Sequence, residues 1–107
     1  MQTYLVVRRS AWPSLEEQRE ADARSVLEAV RMAEEIASIR IYPLEERDRT
    51  IGSVCIFEAS SPEAVRRHAA AASLPVDEIV KVANTVVGKA DPGLEGDRGV
   101  LRREKQT

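Results

Sequence analysis

An α+β fold, with two helices on one face of a four-stranded antiparallel sheet, is the architecture this sequence predicts. Three observations carry it. Four runs rich in β-formers alternate from residue to residue, as half-buried strands do. Two stretches open on serine caps and continue with helical periodicity. The order along the chain is strand, helix, strand, strand, helix, strand. A chain of 107 residues holds one such domain, with one modest core.

The first strand is predicted over Thr3 to Arg8 (TYLVVR), where Leu5 and Val7 alternate with Tyr4 and Val6. Trp12-Pro13 keeps the next helix from extending backward. Ser14 is its N-cap, and Glu17 three residues on completes a capping box. The helix is expected to run to about Glu35. Val26, Leu27, Val30 and Ala33 make its apolar stripe, with Glu16, Glu20, Arg24, Glu28 and Arg31 largely off it, so that stripe is expected to pack on the core.

Ile36 to Pro43 is the second strand, with Ile39 and Ile41 on one face and Ser38, Arg40 and Tyr42 on the other. A solvated connection, EERDR, leads into the third strand, Ile51 to Glu58, where Gly52 marks a bulge or a close backbone approach. Ser60 or Ser61 caps the second helix, Pro62 suits its first turn, and Leu74-Pro75 ends it. Asp77 to Val87 reads as a turn and a fourth strand. This succession is the ferredoxin-like split βαβ arrangement. It is expected to occupy residues 1–88, with 89–107 a flexible charged tail in which Val100 and Leu101 are isolated apolar residues.

With only four aromatic residues (Tyr4, Trp12, Tyr42, Phe57), the core has to be built from Val, Ile, Leu and Ala. Sixteen basic and 18 acidic residues leave a formal net charge of −2, so no global field draws the chain to nucleic acid or an anionic membrane. The third strand also lacks the exposed aromatic pair of RNA readers. No apolar run approaches the ~18 residues of a membrane helix and no signal pattern opens the chain, so a cytoplasmic protein is expected. A lone Cys55 forms no intramolecular disulfide and fits a reducing compartment. Phosphate loops, dinucleotide fingerprints, CxxC and HExxH motifs do not occur. Both alternating sets of strand residues contain apolar members such as Val6, Val54, Ile56, Val80 and Val82, so the sheet face away from the helices is expected to be apolar. A homodimer that pairs two sheets would cover it.

From Cys55 to Val82 the chain resembles a known bacterial family. The residues that carry the resemblance are Cys55-Ile-Phe-Glu-Ala59, Ser61-Pro-Glu-Ala-Val-Arg66, His68-Ala69 and Leu74-Pro-x-Asp77. They are similar to a ferredoxin-like domain of unknown function, some of whose members are described as nickel-binding. The resemblance implies the fold and, for function, a divalent metal such as Ni²⁺. Related sequences usually carry Gly before Leu-Pro; here Ser73 stands there, so the loop needs another way to meet a left-handed backbone demand.

His68, the only histidine, is the first candidate metal ligand, since imidazole suits nickel, copper and zinc. Cys55, Glu58 and Asp77 join it if the fold brings them near. The structural alternative for His68 is a partly buried ring that bonds a backbone carbonyl or caps the sheet edge, and for Glu58 a pairing with Arg66, Arg67 or the helix N-terminus. Cys55 reads as a small buried hydrophobe with no electropositive setting. Tyr4, Arg40 and Tyr42 are expected to share a sheet face and, with Asn84, to line a pocket for an anion or small organic ligand; the alternative is a dimer interface. Three functions follow: a small dimeric metal-binding protein, a cofactor-free enzyme of the dimeric α/β-barrel monooxygenase and isomerase type, or a protein-interaction module.

Overall fold

A computed structural model describes residues 1–91 of the chain. The four strands β1 (Gln2–Trp12), β2 (Ile36–Glu45), β3 (Ile51–Ala59) and β4 (Glu78–Lys81) form one antiparallel sheet in the order β2-β3-β1-β4. Helices α1 (Leu15–Arg31) and α2 (Pro62–Ala71) cover one face, and Tyr4, Val6, Cys55 and Phe57 of that face make the core with Ala29, Ala64 and Val65 of the helices. This is the predicted ferredoxin-like fold. Among the described residues no helix is long and apolar enough to cross a membrane. The expected tail lies, from residue 92 on, outside the described residues.

The caps act as the sequence suggests. Ser14 Oγ accepts from Glu17 N, and Ser61 Oγ from Ala64 N, each satisfying a free amide of a first turn. Gly52 is a close approach: a Cβ there would lie 2.5 Å from the Arg8 carbonyl oxygen and against the Glu46 carboxylate. The cause is a bulge in β1. Arg8 pairs with Ser53 and Trp12 with Ile51, so Gly52 alone opposes three residues, and Ser10 takes φ 47° to make room.

Four expectations need correction. First, α1 ends at Arg31, and the chain turns over Met32 to enter β2. Second, the stripe of α1 faces solvent: Val26, Leu27 and Val30 are 49, 51 and 68% exposed. The buried side is Gln18, Ala21, Ser25 and Ala29. Small residues at every fourth position let the helix backbone approach the sheet closely, which a bulky stripe would prevent. Third, Ile39 and Ile41 do not share a face. A register shift between Ser38 and Arg40 breaks the alternation, so Ile41 packs on the core while Ile39 is 49% exposed on the open side. Fourth, β4 has only four residues, paired with Tyr4 to Val7.

Candidate functional site

Beneath the helices lies a layer of buried polar side chains. Arg8 follows Tyr4 and Val6 on the inner face of β1, and Ser53 and Cys55 stand beside it on β3. Gln18 and Ser25 face them from α1, and His68 from α2. Arg8, Gln18 and His68 are each at most 1% exposed.

His68 is anchored by its Nε2, 2.8 Å from the Ser25 carbonyl oxygen. A carbonyl only accepts, so Nε2 carries the proton and Nδ1 the lone pair. Nδ1 is buried with no hydrogen-bond partner. The ring meets Phe57 edge-on at 5.0 Å. Burial pushes the imidazole below its ordinary pKa; the Ser25 bond opposes this and the Arg8 charge adds to it.

Arg8 donates from Nε to the Pro75 carbonyl at 2.7 Å and from Nη1 to Cys55 Sγ at 3.2 Å, while Nη2 has no partner. None of the ion pairs among the described residues involves it. Burial lowers the guanidinium pKa and raises that of the Cys55 thiol. The Asp22 and Asp77 carboxylates are near enough to favour the charged guanidinium, and burial pushes the Asp22 carboxyl up. Gln18 leaves both amide atoms unpaired. A buried charge compensated only from a distance, beside polar atoms that lack hydrogen bonds, is costly to hold. Such a layer has the chemistry of a binding site: one cation, amide groups of both senses, a thiol and an imidazole lone pair.

The candidate metal residues are not brought together. Glu58 pairs across the sheet with Thr3, is exposed and points to the face opposite His68. Arg66 and Arg67 engage Glu63 and Glu35 instead of Glu58. Asp77, exposed, accepts from the backbone N–H of Arg9. Among the described residues no three His, Cys, Asp or Glu side chains are grouped to hold a metal.

The expected ligand pocket is divided by the sheet. Tyr4 is a core residue on the helix side. Arg40 and Tyr42 share the open face, where both engage Asp91: Tyr42 Oη donates to Oδ2 at 2.6 Å and Arg40 Nε stands 3.2 Å from it. The bond to Asp91 raises the Tyr42 pKa. Arg40 also rims a hollow of about 300 Å³ floored by Leu5, Ile39, Ile56 and Val82, with Glu58 on its edge. Asn84 is exposed and does not line it.

Sequence reasoning missed Arg8, Gln18 and Asp91. Arg8 was findable, because it continues the alternation of Tyr4 and Val6 onto the inner face and therefore sets an electropositive partner beside Cys55. Gln18 and Asp91 carry no such signal.

A family model described as "Nickel responsive protein SCO4226-like" matches residues 4–82. The chain belongs to this family. The match takes in both helices and all four strands but for the first two residues of β1, and it extends the resemblance of Cys55 to Val82 back through α1. Among solved structures, the chain is similar to SCO4226 from Streptomyces coelicolor A3(2), with a TM-score of 0.61 and 21% identity over 78% of this chain and 99% of that one. At that identity the likeness speaks for the fold. No curated protein matches the chain.

Proposed function

We propose that this member of the SCO4226-like family is a homodimer, paired through its open sheet face, that takes up a divalent metal such as nickel with His68 as principal ligand. The observation that carries the reading is the imidazole: its Nε2–H is committed to the Ser25 carbonyl, and its buried Nδ1 lone pair has no partner. Metal-bound histidines are held in this way, with the second nitrogen tied to a carbonyl or carboxylate. The family description, nickel responsive, supports it. One chain supplies a single imidazole donor, His68 being its only histidine, and Glu58 and Asp77 stand elsewhere. Cys55, which faces the same buried layer, would be the further protein ligand and would lose its proton on metal binding.

The test is elemental analysis of tag-free protein, followed by nickel titration. Nickel at 100 times its dissociation constant adds about 2.7 kcal/mol of stability, read as a rise in Tm. His68→Ala removes the rise. Loss of a buried ring also costs stability, so His68→Gln, which keeps an amide near Ser25, serves beside it. No shift in wild type at millimolar nickel sinks the reading.

A specific observation favours a second reading. The unpartnered Arg8 Nη2 and Gln18 amide suit a small polar molecule between helices and sheet, as in a cofactor-free enzyme of the dimeric α/β-barrel type. A Tm rise with small carboxylates, absent with nickel, would favour it.

A further inference from the structure

The sheet face away from the helices carries a strap of its own chain. β2 and β4 are the two edges of the sheet, with β3 and β1 between them. At the β4 edge the Val82 amide donates to the Thr3 carbonyl at 2.8 Å. At the β2 edge Asp91 accepts the Tyr42 hydroxyl at 2.6 Å and stands 3.2 Å from Arg40 Nε. Arg40 and Tyr42 lie on the open face, so residues 82–91 pass from one edge to the other across it. Thr85 marks the path, since it lines the hollow of about 300 Å³ together with Ile39, Arg40 and Ile56.

The strap covers the face without packing on it. Three strand spacings, about 14 Å, separate the edges, whereas nine residue steps reach roughly 30 Å when extended. The slack lets the segment bow away from the sheet, and the hollow is the space left beneath it. Residues 83–90 are all exposed, Val86 by 88% and Val87 by 76%. A span anchored at its two ends and exposed between them is the kind of segment that opens locally at little cost. It nevertheless takes up room. Facing sheets pack about 10 Å apart with their side chains interdigitated, and a backbone lying over the sheet fills that layer. A second sheet and the strap cannot occupy it together.

We infer that residues 82–91 gate dimerisation: latched by Asp91 on Arg40 and Tyr42, they close the sheet face of a single chain, and a second copy docks there once the latch has opened. Such a gate rests on the sheet-paired homodimer proposed above and adds the device that sets its strength. Both chains of an isologous pair must release their straps, so the loss of a latch acts twice.

Sedimentation velocity on the full chain over a concentration series tests the gate. Asp91→Ala and Tyr42→Phe each remove the latch bond and leave the apolar residues of the face in place. Each is expected to lower the dimer dissociation constant at least about tenfold. Ile56→Glu abolishes association in wild type and in both latch variants. Val86→Ser and Val87→Ser leave it unchanged, because the released strap lies outside the sheet interface. A monomeric wild type that dimerises when the latch is lost sustains both gate and dimer. Association that depends on Ile56 but is unmoved or weakened by Asp91→Ala and Tyr42→Phe overturns the gate and leaves the sheet dimer standing. Weakening by Val86→Ser or Val87→Ser also overturns the gate, since the strap is then part of the contact. A monomer in wild type and in both latch variants, or association indifferent to Ile56→Glu, overturns the sheet dimer and the gate with it.

Discussion

His68 shows how a single side chain is set by its surroundings. Burial under α1 and α2 favours the neutral ring, and the Arg8 charge acts the same way. In the unfolded chain the imidazole titrates near ~6.5. Just below that pH the unfolded state binds a proton that the native state refuses, so the contribution of His68 is complete above this value and is lost as pH falls through it. Glu35, Glu46 and Asp48 shift in the same direction for a different reason: their hydrogen-bonded partners lower their pKa, and their share of stability is lost at more acid pH. Urea unfolding of wild type should therefore give a free energy that declines from about pH 7.5 to about pH 5.5. In His68→Gln the decline should vanish. An unchanged slope in the variant would show that another group titrates in this window.

At the scale of the element, the end of α2 repays attention. Ser73 takes φ 58°, so the left-handed backbone demand expected of this loop is met by a residue other than glycine. The amide of Leu74 reaches the Ala69 carbonyl at 2.8 Å and that of Ser73 the Ala70 carbonyl at 3.2 Å, the paired bonds of a Schellman cap. The cap also presents Pro75, whose carbonyl takes the Arg8 bond. Ser73→Gly relieves the left-handed strain, partly offset by a more flexible unfolded chain, and should raise stability by about 0.5–1 kcal/mol. That corresponds to a Tm increase of roughly 2–8 °C for a domain of this size. A lower Tm would mean that the serine makes a contribution of its own. The bulges in β1 and β2 belong to this scale too: Gly52 announced the first, while nothing in IASIRIYP announced the second.

Across the whole molecule, the two helices leave one sheet face uncovered. Leu5, Ile56 and Val80 form a row across three strands there, and Ile39 lies close by, half exposed. Apolar side chains gathered around a hollow and rimmed by Arg40 and Glu58 have the composition of an interface centre with a polar edge. Ile56 pairs with Leu5 on one side and Arg40 on the other, so a carboxylate there falls in the middle of the face. Ile56→Glu should reduce the mass attributable to sheet pairing by half in light scattering, with the circular dichroism spectrum retained. A mass equal to wild type at all concentrations would place the dimer contact elsewhere.

Strand alternation, the serine caps and the Leu-Pro stop were enough to determine the element order and the fold, because these signals act over a few residues and depend only on backbone chemistry. The burial of Cys55 was legible for the same reason, since it sits on an apolar run between Val54 and Ile56. Which face of α1 turns inward was decided by tertiary packing. A valine and leucine stripe is the stronger local signal, yet Ala21, Ser25 and Ala29 let α1 lie close to a sheet that carries Arg8 and Ser53, and close packing prevailed. The separation of Tyr4 from Tyr42, and of Glu58 from His68, was likewise decided by register. One bulge and the two-residue period of a strand place such side chains on opposite faces, and no spacing along the chain records which strand will be their neighbour.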